Sequence, residues 1–324
     1  MKEGKIPPEL LKSLVFNNIK VKSEEVILRP EIGEDCAAID FGSHACVMST
    51  DPITGAEKGA GTLAIHISCN DVATSGVRPL GIMVTILAPP TASENDIRRV
   101  MEEAGEAAAA LGVEIIGGHT EITSAVNRMV ISTTAVGKVL KDKIVKSSGA
   151  RAGDDVVMTK WAGLEGTSII AADKEKQLAG VMSQEEIEEA KAFIKQISVV
   201  EEGVTSGDFG ASSMHDVTEG GILGAAWEIA ESSSKGIEVY LDRIPVREVT
   251  RKLCSIFGID PYRLISSGSM LITAENGAEL VKLLEKKGIP SAIIGRITEE
   301  GRHIIRNGET IPLSPPDVDE LFKA

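Results

Sequence analysis

The spacing of apolar residues predicts two helices that each begin with a polar cap. Ser93 precedes an apolar series at helical spacing, and Asp96 follows it by three residues. Ser183 and Glu186 stand in the same relation before a second series. A hydroxyl residue followed three positions later by an acidic one resembles a capping box. Because the apolar positions then recur every three or four residues, both segments are expected to be amphipathic helices packed on a sheet.

Short apolar runs predict the strands. They fall into two groups, at 45–49, 83–87, 113–116 and 129–136, and at 156–159, 270–273 and 292–297. Strands that alternate with helices are typical of layered α/β domains. The stretch from Lys138 to Asp155 is polar, charged and contains glycine. We therefore predict an α/β (α+β) chain with an N-terminal domain over 1–140 and a C-terminal domain over 149–324.

The composition supports two domains and limits what the protein binds. A chain of 324 residues is long for one compact core. Aromatic residues make up only 3%, so the core is expected to consist of Ala, Val, Ile and Leu. The net charge of −14 argues against a nucleic-acid partner, because phosphate backbones are bound by basic surfaces. A nucleotide held through magnesium remains compatible with this charge, since carboxylates are ligands of that ion.

The sequence predicts a cytoplasmic protein without a membrane partner. Its N-terminal residues are charged and interrupted by Pro7 and Pro8, unlike a signal peptide. No run approaches the roughly 18 apolar residues of a membrane span. The four cysteines form no C-x-x-C pair, so reduced thiols are expected rather than zinc or redox-motif chemistry.

Two acidic motifs lie in the first 55 residues. In Gly33-Glu34-Asp35-Cys36 the glycine permits a tight turn and Asp35 offers a hard oxygen ligand, although a surface turn capped by Asp35 would look the same. In Ser49-Thr50-Asp51-Pro52 an apolar strand precedes Asp51. Asp51 is therefore expected at the carboxyl end of a strand, where α/β sheets bind ligands. An Asp-Pro turn that merely ends the strand is the alternative.

A third motif places Asn70 and Asp71 in an apolar helix that begins near Leu63. A buried carboxylate is costly unless it is paired or bound to a metal. The small and apolar neighbours of both residues favour a functional role over a solvent-facing position.

The fourth motif runs from His215 to Gly221 and precedes another apolar series at helical spacing. Gly220 and Gly221 are expected to open that helix, and free amides at a helix start suit phosphate oxygens. The alternative is an ordinary helix capped by Thr218 or Asp216.

Two glycine-containing segments are weaker candidates. Gly117, Gly118 and His119 follow a predicted strand, so His119 is expected in a loop, where it either contacts a phosphate or fills a structural position. The segment Gly163-Leu164-Glu165-Gly166 is a second possible phosphate loop, but it lacks the spacing of a Walker A motif.

The order of these motifs is more specific than any one of them. GEDCAAID, STDP, NDVATSG with RPLG, GGHTE and HDVTEGG follow one another between about residues 30 and 230. In this order they resemble the superfamily of AIR synthase (PurM), HypE, selenophosphate synthetase and thiamine-monophosphate kinase. The resemblance implies a two-domain PurM-like fold, with a ferredoxin-like N-terminal domain that dimerises through its sheet and a C-terminal α/β domain. It also implies ATP in a cleft between the domains.

The resemblance further implies ATP and Mg²⁺ as cofactors and carries a set of residues over to this sequence. The acidic members, expected as magnesium ligands, are Asp35, Asp51, Asp71 and Asp216. Further nucleotide contacts are expected at Asn70, Gly117, Gly118, His119, Gly220 and Gly221. The superfamily has Asp, Glu or His at the position of His119, so this residue is not assigned as a metal ligand.

A HypE-like enzyme is the function that the resemblance favours. Such an enzyme uses ATP to phosphorylate an amide-like or carbonyl oxygen, and HypE converts a carboxamide carried on sulfur into a nitrile during hydrogenase maturation. The expected partners are a small or protein-borne carboxamide, a second copy of the chain and maturation proteins. HypE acts on its own C-terminal cysteine, whereas the last cysteine here is Cys254, in a predicted helix.

Two alternatives stay open. One is a small-molecule kinase of the thiamine-monophosphate kinase type. The other is a nucleotide-binding accessory protein that assembles a maturation complex without catalysis. Product analysis distinguishes the kinase from the HypE-like enzyme, and the absence of ATP consumption would indicate the accessory protein.

Overall fold

Two mixed β-sheets, each covered by helices, make up the fold. The computed structural model describes residues 6–54, 59–316 and 318–324. The first five residues of the predicted N-terminal domain therefore lie outside the described residues.

The first sheet has six strands in the order β1-β2-β3-β6-β4-β5. Its strands are β1 (Val26–Leu28), β2 (Ala37–Phe41), β3 (His44–Ile53), β4 (Pro79–Ala88), β5 (Glu114–Ile122) and β6 (Val130–Leu140). The helices in this part of the chain are α1 (Pro8–Leu14), α2 (Ala60–Thr74) and α3 (Glu94–Leu111). Strands β4 and β5 pair in parallel, and the other neighbouring strands are antiparallel.

The second sheet has seven strands in the order β13-β12-β9-β11-β7-β10-β8. Its strands are β7 (Asp155–Thr159), β8 (Ser213–Asp216), β9 (Gly236–Tyr240), β10 (Met270–Ala274), β11 (Ser291–Thr298), β12 (Arg302–Arg306) and β13 (Glu309–Pro312). Its helices are α4 (Leu164–Asp173), α5 (Glu175–Leu178), α6 (Gln184–Ala192), α7 (Val200–Phe209), α8 (Gly221–Ser232), α9 (Glu248–Phe257) and α10 (Gly277–Lys286).

Both predicted capped helices are confirmed. The Ser93 hydroxyl accepts the Asp96 amide at 3.3 Å at the start of α3, and the Ser183 hydroxyl accepts the Glu186 amide at 3.2 Å at the start of α6. In each helix the acidic side chain also accepts the backbone N–H of the serine, which completes a capping box. No helix within the described residues has the length and apolar character needed to cross a bilayer.

Several strands are longer than their apolar runs predict, and this corrects the expected loop around His119. Strand β5 continues to Ile122, so Gly117, Gly118 and His119 lie within a strand. The parallel ladder with β4 extends it, pairing Val84 with Gly118. A Cβ on Gly118 would lie only 1.8 Å from the Val84 carbonyl oxygen, so glycine allows this close pairing. Likewise, Asp51 lies inside β3, two residues before its end.

Small aliphatic residues fill the core, as the composition predicts. Ala, Val, Ile and Leu dominate the buried cluster that α2 and α3 form against the first sheet. Helix α2 also contacts α7 and β8 of the second half. A Cβ on Gly203 in α7 would lie 2.2 Å from the Ala73 carbonyl oxygen, which shows how closely the two helices approach. Helix α2 therefore joins the two halves and brings its own last turn next to β8.

Candidate nucleotide and metal site

A cleft of about 640 Å³ lies where residues of the two halves face each other. We call it the interdomain cleft. Acidic side chains line both walls, namely Glu34, Asp35, Asp51 and Asp71 from the first half and Glu165, Asp173, Asp216, Glu219 and Asp319 from the second. This volume is within the range of small-molecule sites. The concentration of carboxylates identifies the cleft as the candidate site.

Asp71 lies at the centre of this acidic group. It is in the last turn of α2 and only 5% exposed. The Ser49 hydroxyl donates to its Oδ2 at 2.6 Å. Burial, and then the neighbouring Asp216, Asp51 and Asp35, raise the pKa of Asp71 well above its usual range. The structure thus brings together the four carboxylates predicted as magnesium ligands.

A tight turn delivers Asp35 to the cleft. Gly33 adopts φ +75°, and a Cβ there would lie 3.0 Å from the Glu228 carbonyl oxygen. Other residues rarely adopt this backbone conformation, so the turn that packs against α8 depends on glycine. Two residues later, Oδ2 of Asp35 lies 3.6 Å from Nδ1 of His215.

His215 is a site residue that the sequence analysis did not assign. It lies on the fully buried strand β8, with Nδ1 3.9 Å from Oδ1 of Asp216 and Nε2 3.3 Å from Oε2 of Glu228. Burial lowers its pKa, but Asp35, Glu228 and Asp216 outweigh that effect and raise the pKa to about 10. The flanking carboxylates thus favour the charged form of the ring, and its Nδ1 lies 2.6 Å from the Asp216 carbonyl oxygen. Its place directly before Asp216 at a strand end was the available sequence signal.

The donor set fits a divalent cation. Ligand atoms of Asp35, His215 and Asp216 lie within 4.8 Å of one another. Because a protonated imidazole has no free lone pair, the carboxylates are the candidate ligands. Hard oxygen donors are those that magnesium prefers. Asp51 and Asp216 both raise the pKa of Asp71, so the three like charges lie close together. A cation bound among them would relieve their repulsion.

Gly220 and Gly221 open α8, as predicted. Their φ angles are +86° and +61°, and a Cβ on Gly221 would lie 2.7 Å from the Tyr262 carbonyl oxygen. The Gly220 amide donates to Oδ2 of Asp319 at 2.7 Å, and the Gly221 amide donates to the Thr218 carbonyl at 3.1 Å. These two amides therefore have partners within the chain. The capping carboxylate comes from 99 residues further along, which local patterns could not predict.

Asn70 and the β5 residues do not line the interdomain cleft. The Asn70 amide donates to the Ile197 carbonyl at 2.8 Å and accepts the Val199 amide at 2.9 Å, so it fastens α2 to the second half. Strand pairing aligns Asp51, Thr133, Val84 and Gly118, which puts His119 on the opposite face of the first sheet from Asp51. Nucleotide contacts by Asn70, Gly117, Gly118 and His119 stay predictions.

Comparison with known proteins defines the class. Residues 33–139 match the N-terminal domain of AIR synthase related proteins, and residues 151–307 match the C-terminal domain of the same proteins. The chain therefore belongs to the AIR synthase related family. Among curated relatives, it is 28% identical over 285 residues to a carbamoyl dehydratase HypE of Bradyrhizobium diazoefficiens, covering 85% of this chain and 80% of that protein.

Solved structures show the same fold. HypE in a HypE–HypF complex aligns with a TM-score of 0.79 and 21% identity, covering 95% of this chain and 99% of that one. HypE in complex with ATP aligns at 0.70 and 23%, covering 98% and 97%. AaThiL complexed with AMPPCP and TMP aligns at 0.75 and 19%, covering 96% and 97%. The predicted two-domain PurM-like fold is thereby confirmed.

Proposed function

We propose that the protein is a Mg-ATP-dependent enzyme of the HypE type that dehydrates a carboxamide. The observation that carries this proposal is the meeting of four carboxylates from both halves in one cleft. The HypE structure with ATP and the curated carbamoyl dehydratase support the choice of nucleotide and reaction. The acidic cleft supports the choice of magnesium, because several carboxylates would hold a cation that carries an anionic triphosphate.

The proposed reaction transfers a phosphoryl group and then eliminates it. The carboxamide oxygen forms a bond to the γ-phosphorus of ATP, and ADP leaves. The carbon–oxygen bond then breaks, phosphate departs, and the nitrogen loses two protons to give a nitrile. One proton goes to the phosphate and one to solvent. Asp35, Asp51, Asp71 and Asp216 would hold the magnesium, which offsets the negative charge of the phosphates.

The carboxamide is proposed to arrive on another molecule. Cys36, Cys69 and Cys254 are buried, Cys46 is half-buried, and none of the four lines the interdomain cleft. A thiol that carries the carboxamide into the cleft would therefore not be one of these cysteines. The HypE–HypF complex supports a protein partner as the source.

Two substitutions test the site. Asp51→Ala and Asp71→Ala are expected to weaken magnesium-dependent binding of AMPPCP by at least about tenfold, because each removes a charged oxygen ligand from the site. Isothermal titration calorimetry with and without Mg²⁺ measures this. Asp142→Ala, an exposed carboxylate outside the cleft, is the matched control. Unchanged affinity in both cleft variants would refute the assignment.

A kinase is the second candidate, and the fold similarity to AaThiL with its bound AMPPCP and TMP favours it. Mass spectrometry of the products separates the two reactions. A phosphorylated acceptor indicates the kinase, whereas ADP, phosphate and a product lighter by one water indicate the dehydratase. Binding of ATP without any turnover across candidate substrates would indicate the accessory protein.

A further inference from the structure

Two buried polar side chains, Glu165 and Ser267, lie on the second-half wall of the interdomain cleft, and neither takes part in the proposed magnesium site. Glu165 is in the first turn of α4 and 5% exposed, and Ser267 precedes β10 and is fully buried. Both line the cleft. Oε2 of Glu165 and Oγ of Ser267 each lack a hydrogen-bond partner in the protein. A buried polar atom without a partner is costly, so a ligand that pairs with both would be favoured.

The chain fixes these two side chains relative to each other. The amide of Gly163, which precedes α4, donates to the hydroxyl of Ser266 at 2.6 Å. The Gly166 amide donates to the Ile265 carbonyl at 3.0 Å. These bonds tie the first turn of α4 to the segment that carries Ser267. The Ser267 hydroxyl lies close enough to Glu165 to lower its pKa as a hydrogen-bond donor would, but the two side chains do not reach hydrogen-bond geometry, so both remain open to a ligand.

The charge of this wall selects against anionic ligands. Burial, opposed by Ser267 and reinforced by Glu219, Asp319 and Asp216, raises the pKa of Glu165 to about 7. A carboxylate or phosphate brought to this wall would face the same acidic neighbours. A neutral group that donates one hydrogen bond and accepts another has no such penalty. A primary amide does both, since its N–H₂ donates and its carbonyl oxygen accepts.

We infer that Glu165 and Ser267 form the subsite for the primary amide of the substrate, with Glu165 Oε2 accepting from the amide N–H and the Ser267 hydroxyl donating to the carbonyl oxygen. This inference rests on the proposed function and names two residues that recognise its substrate. It places the acceptor on the α4 wall of the cleft that Asp51 and Asp71 of the first half also line.

The test compares two neutral probes that differ in the N–H group. One is S-carbamoyl-N-acetylcysteamine, and the other is its S-methoxycarbonyl analogue, which has no N–H at that carbon. Calorimetry measures the binding of each to the whole protein, with and without Mg-AMPPCP. The wild type is expected to bind the carbamoyl probe at least about tenfold more tightly, because the analogue leaves the buried acceptor unpaired.

Substitutions test whether Glu165 and Ser267 cause the preference for the carbamoyl probe. Glu165→Met and Ser267→Ala are each expected to reduce the tenfold ratio towards one. Ser206→Ala is the matched control, because the Ser206 hydroxyl is equally buried and unpartnered but lies outside the cleft. It is expected to retain the ratio. Thermal unfolding checks that each variant is folded. If a variant does not fold, the ratio of the wild-type affinities for the two probes alone tests the subsite.

Three outcomes overturn the subsite. They are a wild type that does not prefer the carbamoyl probe, a wild type that does not bind it at millimolar concentration, and a preference that survives both substitutions. Loss of Mg-AMPPCP binding by the wild type would instead contradict the proposed function. The two titrations therefore distinguish a failure of the subsite from a failure of the nucleotide site.

Discussion

At the scale of single residues, His66 shows how burial changes the titration of a side chain. It lies on α2, and its Nδ1 is buried without a hydrogen-bond partner. Burial, with a contribution from the Lys160 charge, lowers the pKa of His66 to about 4. The neutral ring is therefore the form that the folded protein accommodates, and protonation favours the unfolded chain.

This residue gives a pH prediction with a defined sign. The folded pKa lies below the unfolded value of about 6.5, so the stability contribution is complete above pH 6.5 and is lost as the pH falls towards 4. The free energy of unfolding of the wild type is expected to fall between pH 7.5 and pH 4.5. In His66→Gln we expect this fall to be smaller by about 1–3 kcal/mol. Urea unfolding at both pH values measures this. His303→Gln is the control, and an unchanged pH dependence in His66→Gln would contradict the prediction.

Some residues of the candidate site could be predicted from the sequence, and others could not. Asp71 could be predicted because a carboxylate inside an apolar helix needs a reason to be buried. His215 and Asp319 could not be assigned, because their roles depend on Glu228 and Gly220, which local spacing does not bring to them. Glu165 was noted only as part of a glycine-containing loop, since its missing partner is a property of the folded structure.

At the scale of elements, one buried ion pair holds β7 to α7. Lys160 follows β7, and its ammonium lies 2.7 Å from Oε1 of Glu202. The same ammonium donates to the carbonyls of Gln196 at 2.9 Å and Ser198 at 2.5 Å. Both charged side chains are almost fully buried. Removing one of them would leave the other charge without compensation.

We therefore expect Lys160→Met to lower the free energy of unfolding by about 3–5 kcal/mol, since Glu202 would be buried and unpaired. Chemical denaturation measures the loss. The double variant Lys160→Met, Glu202→Leu is expected to recover much of it, because no isolated charge remains. If the double variant is as unstable as the single one, packing rather than charge explains the effect.

Elements were easier to predict at their caps than at their strand ends. Helices α3 and α6 begin where Ser93 and Ser183 predict, because a cap is a local interaction. Strand β5 exceeds its apolar run because the ladder with β4 continues through polar and glycine residues. Strand length is set by a neighbouring strand, which a single segment does not reveal.

At the scale of the whole molecule, the first sheet ends in an exposed edge strand. Ile116 and Ile122 on β5 are 53% and 54% exposed, and Met83 on the neighbouring strand is 43% exposed. An apolar strand edge of this kind readily pairs with another chain. It is consistent with the homodimer that the family resemblance predicts.

We expect light scattering at micromolar concentration to give twice the monomer mass of 34.2 kDa. Ile122→Lys is expected to shift the protein towards the monomer, because a charge on the edge opposes pairing. Val181→Lys, at an equally exposed apolar residue of the second half, serves as the control. A monomeric wild type, or dissociation caused equally by both variants, would contradict a dimer formed through β5.

The acidic cleft has a consequence for how long the protein survives in a cell. Asp35, Asp51, Asp71 and Asp216 repel one another across the two halves, so the ligand-free fold carries a cost that a bound cation and nucleotide would remove. Ligands that bind only the folded state raise its stability with their concentration. Chains without nucleotide would unfold more often and be degraded sooner. If the proposed cation and nucleotide bind, the abundance of the protein would thus follow their supply, without any separate regulator.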